Sequence, residues 1–217
     1  DPKLVESLAK AKSKGYESWQ EAKKKSDFNI FLPFFRDLIK LRIEEAKQIS
    51  DNLSPWETLA QPFEPELTLK WLNQVFQPLR ETIPSLIKDL KKYKKYHWDL
   101  SLKSQQNLCS KLLDEFGRDK DLVVVAKSPH PFSITLGPSD YRITTRIVEG
   151  EPFSSFLATA HEWGHSIYEQ GLPSQSHQWF AWPLGQATSM GIHESQSLFW
   201  ENRIVKSKSF SKRFFNK

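Results

Sequence analysis

Phe153-Ser154-Ser155-Phe156-Leu157-Ala158-Thr159-Ala160-His161-Glu162-Trp163-Gly164-His165 is the stretch on which the reading of this chain turns. Its first eight residues are largely apolar and have helical habits, and it ends in an H-E-x-x-H pair of histidines. On a helix, positions four apart lie about 40° from each other around the axis, so both imidazoles project to one side. Two imidazoles on one face can grip a single Zn2+, and Glu162 beside them is a candidate base for a water at the ion. The helix is expected to start around Pro152, after Gly150-Glu151.

Upstream of the motif the character is β. Leu122-Val123-Val124-Val125-Ala126 is β-branched, and Tyr141-Arg142-Ile143-Thr144-Thr145-Arg146-Ile147-Val148 alternates and is rich in β-formers, which predicts a strand over 141–148. Ser133-Ile134-Thr135-Leu136 is a second strand candidate able to pair with it as a hairpin across Gly137 and Pro138. A strand edge beside the motif helix would hold a peptide in extended form through backbone hydrogen bonds.

Further upstream, the chain reads as successive amphipathic helices. Leu4, Leu8, Ala11, Trp19 and Ala22 recur at threes and fours, and Phe28 to Ile49 gives a strongly apolar helix. Ser54-Pro55 opens a short helix, the period resumes over Thr68 to Phe76, and two further helices are expected to end near Lys95 and near Phe116, the latter stopped by Gly117. No repeat and no low-complexity tract interrupts this order.

Composition narrows the function classes. The 217 residues hold one cysteine, Cys109, so no internal disulfide forms, a reducing cytoplasm is the expected location, and Cys109 is expected to pack inside its helix. No apolar stretch approaches the ~20 residues that span a bilayer, so no membrane partner is expected. The start, Asp1-Pro2-Lys3, has neither a basic region nor an apolar core and reads as a cut or processed beginning. The net charge of +5 comes from runs at Lys10–Lys25, Lys88–Lys95 and Lys206–Arg213. The first two are interleaved with carboxylates at helical spacing, as on solvated faces, so no nucleic-acid partner is expected.

Two histidines leave Zn2+ short of the three protein ligands usual at a catalytic site. Glu169, His177, His193, Glu194 and Glu201 are the downstream candidates. Glu169 follows His165 by one turn, but a straight helix carries it past the ion, and His177 lies in a Pro/Ser/Gln-rich loop. Ala187 to Asn202 reads as a second helix whose polar cluster His193-Glu194-Ser195-Gln196-Ser197 is flanked by apolar residues. A carboxylate buried there would need a cation.

These segments carry a resemblance. His161-Glu162-Trp163-Gly164-His165, Gly191-Ile192-His193-Glu194-Ser195-Gln196-Ser197 and Trp200-Glu201-Asn202 resemble signatures of the thermostable metallocarboxypeptidases of the carboxypeptidase Taq family. His130-Pro131-Phe132 and Asp140-Tyr141-Arg142-Ile143-Thr144-Thr145-Arg146 resemble two more, in the same order. The resemblance implies a mainly α fold with a small β-sheet, in which a zincin-like catalytic helix carries HExxH next to a strand or hairpin. The change of character at Leu122 divides the chain into a helical region, 1–121, and a small sheet with zinc-binding helices, 122–217, expected to form one continuous domain that by the resemblance is a fragment of a larger family fold.

The function implied is release of residues from peptide C-termini, with peptides as substrates, Zn2+ as cofactor (Co2+ as a substitute) and a homodimer as the assembly. His161, His165 and Glu194 are implied as metal ligands and Glu162 as general base and proton shuttle. His130 is a candidate donor to substrate, and Arg142 would either line the cleft or anchor the sheet. Gly164 is expected to allow close packing behind the motif helix, and Trp179, Phe180 and Trp182 to pack or to pave a wall of the cleft.

The chain is also less than half as long as family members. Two family signatures, an I-R-x-x-A-D segment expected to hold the substrate's terminal carboxylate and a Q-D-x-H-W segment, do not occur in it. The end, Ser209 to Lys217, reads as abrupt, with aromatics expected to lack packing partners. Two alternatives to an active peptidase therefore stand: a shortened, catalytically impaired chain that binds zinc without anchoring substrate, and a helical interaction module with a structural metal. Structural zinc sites commonly use cysteine, and a single remote Cys109 argues against the last.

Overall fold

The computed structural model describes residues 1–90, 98–176, 178–180 and 182–216. The chain forms two compact units, Asp1–Leu90 and Lys91–Lys217. Among the described residues no helix is long and apolar enough to cross a membrane.

The first unit is helical, and its helix starts are written locally. Asp1 caps helix α1 (Pro2–Lys25) by accepting from the Lys3 N–H, and the chain leaves it through Ser26 in the left-handed region, φ 53°. Helix α2 (Leu32–Ile49) has Pro33 in its first turn. Helix α3 (Pro55–Ala60) opens on a complete capping box between Ser54 and Glu57. Helix α4 (Leu69–Asp89) is capped by Thr68 and runs on through Pro78 and Pro84, well past the expected stretch ending at Phe76. Each proline removes a backbone donor. The Thr82 hydroxyl donates to the Pro78 carbonyl at 2.5 Å, and Ser85 donates to the Thr82 carbonyl at 2.8 Å. The expected helix end near Lys95 lies outside the described residues.

In the second unit, Ser101 caps helix α5 (Leu102–Glu115), and Gly117 ends it with φ +82°. The Arg118 N–H returns to the Leu113 carbonyl at 3.0 Å, satisfying a carbonyl the helix leaves open. Three strands follow: β1 (Val123–Lys127), β2 (Phe132–Gly137) and β3 (Asp140–Thr145). Their order is β1-β3-β2, with β1 parallel and β2 antiparallel to β3, so the expected hairpin is present. Strand β3 stops at Thr145, short of the expected Val148. There the Val148 carbonyl is taken by Gln105 Nε2 at 3.1 Å and by the Glu151 N–H at 3.2 Å, which turns the chain toward the next helix.

Helix α6 (Pro152–Gln170) carries the motif. Its inner face packs Trp163 with Leu113, Val123, Tyr141 and Ile143, and Phe156 and Ala160 with Leu112 and Val205. Each such large side chain contributes about 1.5–3 kcal/mol by leaving water. Thr159 Oγ1 lies 3.2 Å from Thr145 Oγ1, pinning α6 to the central strand. Cys109 is buried as expected, and burial pushes its thiol pKa up.

Helix α7 (Met190–Leu198) continues into a π-helical segment, Phe199–Val205, and then helix α8 (Lys208–Phe215). The expectation of unpacked terminal aromatics is corrected for Phe210 and Phe214, which lie against the Leu112, Phe156, Ala160 and Val205 cluster, whereas Phe215 is exposed.

Candidate metal centre

His161 and His165 lie one turn apart on α6, with ring centroids 4.9 Å apart. Helix α7 brings Glu194 to them. Its Oε2 is 3.6 Å from His161 Nε2 and 3.3 Å from His165 Nε2. One ligand atom from each of the three residues falls within 4.8 Å of the others, and among the described residues this is the group that can hold a metal ion. A zinc ion bound at 2.0–2.1 Å by nitrogen and 2.0–2.2 Å by oxygen sets tetrahedral N and O ligands about 3.4 Å apart. The two His–Glu separations bracket that value, and a two-histidine, one-glutamate set is the donor set of a catalytic zinc site. The residues fit the ion.

The approach of α7 depends on Gly164. A Cβ there would lie 2.5 Å from Ser197 Cα and 2.6 Å from the Gln196 carbonyl oxygen, both backbone atoms that cannot swing aside. Gly164 therefore lets the two helices touch beside the site, as the sequence suggested. Ser197 is buried at that contact, and its hydroxyl lies 3.1 Å from Glu194 Oε2.

One expectation is corrected. The α7 carboxylate is not buried: the Glu194 side chain is 48% exposed. The buried acid is Glu162, at 6% exposure. Burial raises its pKa to about 7, helped by the Glu194 charge and opposed by His161 and His193. A carboxylate titrating near neutrality suits a group that must both take and return a proton. Burial, with the charges of His193 and His161, lowers the His165 pKa to about 4 against the opposing pull of Glu194. The His165 ring is therefore neutral at neutral pH, as a metal ligand must be. A neutral Nε2 lone pair facing a carboxylate oxygen at 3.3 Å is repulsive unless a cation lies between them.

The other downstream candidates surround these three. Glu201, delivered by the π-helical segment, accepts at Oε2 from His161 Nδ1 at 3.1 Å and at Oε1 from Lys206 Nζ at 2.9 Å. Burial pushes its pKa up, but hydrogen bonds from Lys206 and His161 outweigh it and hold the carboxyl below its usual range. His193 Nδ1 lies 2.6 Å from His165 Nδ1, and its Nε2 lies 2.8 Å from Glu169 Oε1. Glu169, His193 and Glu201 thus approach the histidines from behind, at Nδ1 or one step beyond. His177 lies outside the described residues.

His130 is exposed and its Nδ1 lies 2.6 Å from the Pro131 carbonyl oxygen, within the turn before β2. Arg142, in β3, grips Asp140 through Nε at 2.8 Å and Nη2 at 2.9 Å and stands outside the three-residue group. Arg146 lies beyond the end of β3. Trp182 is exposed. Sequence reasoning missed Thr135, on β2, whose hydroxyl lies 3.5 Å from Glu169 Oε2. A lone threonine in a strand gives no signal for that contact.

All 217 residues match the family of carboxypeptidase Taq (M32) metallopeptidases. Carboxypeptidase 1 of Bacillus subtilis is 36% identical over 211 residues, covering 94% of this chain and 42% of its own length. Thermostable carboxypeptidase 1 of Thermus thermophilus is 33% identical over 229 residues, covering 98% of this chain and 44% of its own length. A solved structure of a Pyrococcus furiosus carboxypeptidase superposes with a TM-score of 0.82 at 28% identity, covering all of this chain and 44% of the other. The chain therefore spans less than half the length of these relatives. With the order of its signatures, its fold and its His-His-Glu group in agreement, this chain belongs to the carboxypeptidase Taq (M32) family of metallopeptidases.

Proposed function

We propose that this chain carries the metal-binding and water-activating part of a zinc-dependent carboxypeptidase that releases residues from the C-termini of peptides. The observation that supports the reading most is the convergence of His161 Nε2, His165 Nε2 and Glu194 Oε2 beside the buried Glu162. These three residues would hold Zn2+, or Co2+ in its place. When bound, such an ion lowers the pKa of a water and polarises a carbonyl oxygen.

The protein's own groups do the rest. The Glu162 carboxylate takes a proton from water as the water oxygen bonds to the scissile carbonyl carbon. It then delivers that proton to the departing nitrogen as the C–N bond breaks, which returns Glu162 to its starting state. For His130 we propose a hydrogen bond at Nε2 with substrate, accepted by the neutral ring, since Nδ1 donates to the Pro131 carbonyl. For Arg142 we propose contact with substrate through Nη1, since Nε and Nη2 face Asp140. Peptides as substrates, and a homodimer as the assembly, follow the family reading.

The span of the chain, 42–44% of two curated relatives, favours a second reading in which this portion binds zinc but anchors the substrate carboxylate poorly. Hydrolysis of an N-blocked dipeptide by the zinc-loaded chain decides between the two. Turnover abolished by Glu162→Gln supports the first, whereas zinc binding without turnover supports the second. Turnover that survives Glu162→Gln would sink the proposed proton transfer.

A further inference from the structure

The two candidate ligands on α6 are held from behind in different ways. His161 Nδ1 meets a carboxylate directly, Glu201 Oε2 at 3.1 Å. His165 Nδ1 meets another imidazole, His193 Nδ1 at 2.6 Å, and only through it a carboxylate, Glu169 Oε1 at 2.8 Å from His193 Nε2. The rings of His165 and His193 have centroids 4.6 Å apart, with Tyr168 edge-on to His193 at 5.1 Å. The His193 and Glu169 side chains are only 15% and 17% exposed, so water competes little for these bonds.

Hydrogen-bond accounting fixes the protons. A carboxylate only accepts, so His193 Nε2 carries a hydrogen toward Glu169. With His193 neutral, that is its one N–H, so His193 Nδ1 is an acceptor and the hydrogen between the rings sits on His165 Nδ1; a protonated His193 would instead donate from Nδ1 and leave the hydrogen of His165 on Nε2. His165 Nε2, the atom facing Glu194, is left with its lone pair. With both rings neutral, the alternative tautomer of His165 would set two lone pairs against each other at 2.6 Å and place a hydrogen where an ion must bind.

The structure assigns His193 and Glu169 as positioning residues: a two-step imidazole–carboxylate relay that locks His165 into its Nδ1–H tautomer before any metal arrives. The assignment rests on the metal-site reading above and goes beyond it. His193 and Glu169 act on the ion only through His165. Outer partners of this kind typically account for about 10- to 100-fold in metal affinity.

The test uses the full 217-residue chain labelled with 15N-histidine. Long-range 1H–15N correlation on the metal-free protein reads the tautomer, His165 being assigned by its loss in His165→Asn, and competition with a chromophoric chelator reads the zinc Kd. The wild type is expected to show His165 as the Nδ1–H form. His193→Ala should populate Nε2–H and weaken zinc binding about 10- to 100-fold.

His193→Asn places an amide oxygen near the lost Nδ1 and should restore the tautomer and part of the affinity. Glu169→Gln keeps an acceptor for His193 Nε2–H and should lose less affinity than Glu169→Ala. If the alanine variants fail to fold by circular dichroism, the wild-type tautomer and the conservative pair still decide. A wild-type His165 in the Nε2–H form, or a folded His193→Ala with unchanged Kd, overturns the relay while the metal site stands. A wild type that binds no zinc overturns the metal reading itself.

Discussion

Trp163 and Trp71 show how differently the two units are built. Trp163, on α6, is 2% exposed and packed among Leu113, Val123, Tyr141 and Ile143, whereas Trp71, on α4, is 53% exposed. The contrast extends along both helices. The inner face of α6 buries Phe156, Thr159, Ala160 and Glu162, whereas no residue of α4 is buried and Val75, Leu79, Ile83 and Leu86 on it are exposed. Two of the three metal-ligating candidates, His161 and His165, sit on the well-packed helix, and the third, Glu194, sits on α7, which meets α6 at Gly164. That follows from chemistry: three donor atoms must be held to fractions of an ångström, and only a rigid support does that.

The contrast can be broken in several places. The largest effect is expected from Glu162→Gln, which should lower peptide hydrolysis about 10^2- to 10^4-fold while leaving zinc content intact, as read by rate assay and metal analysis on one sample. Next, Trp163→Ala should destabilise the chain by about 3–5 kcal/mol in denaturant titration. Gly164→Ala should cost a comparable amount, because the added methyl meets the backbone of Ser197. It should also lose zinc affinity more steeply than a remote core variant of equal stability cost.

Chelation sharpens the contrast in another way. Removing metal present at about 100 times its Kd should withdraw about 2.7 kcal/mol. Hydrogen exchange should show the loss over 153–205 and not over 2–49. The smallest effect is expected from Trp71→Ala, within about 0.5 kcal/mol in this chain, since its side chain is already half in water. A loss of several kcal/mol there would show that α4 has a partner in solution.

Where local chemistry decides structure, the sequence was easy to read. Ser54-Pro55 with Glu57 wrote the start of α3, Gly117 wrote the end of α5, and the H-E-x-x-H spacing put two imidazoles on one face. What could not be read was anything set by the angle between two elements. Glu169, His193, Glu194 and Glu201 were all candidates by residue type; helix geometry set Glu169 aside, and only the family resemblance picked out Glu194. The close crossing at Gly164 and the π-helical segment sort them, sending Glu194 to Nε2 of both histidines and the other three behind.

Burial was misjudged for the same reason. Glu194 was the acid expected to be buried, yet it is 48% exposed, and Glu162 is the one enclosed. The extent of α4 was hidden by Pro78 and Pro84, which usually break helices but lie inside this one.

The central claim is that His161, His165 and Glu194 hold one ion beside Glu162. Zinc stoichiometry and Kd of the purified chain, compared across wild type, Glu162→Gln and Glu194→Ala, test it most directly. The account predicts one tightly held zinc per chain in the wild type and in Glu162→Gln, and its loss in a folded Glu194→Ala. Full zinc occupancy in Glu194→Ala would contradict it.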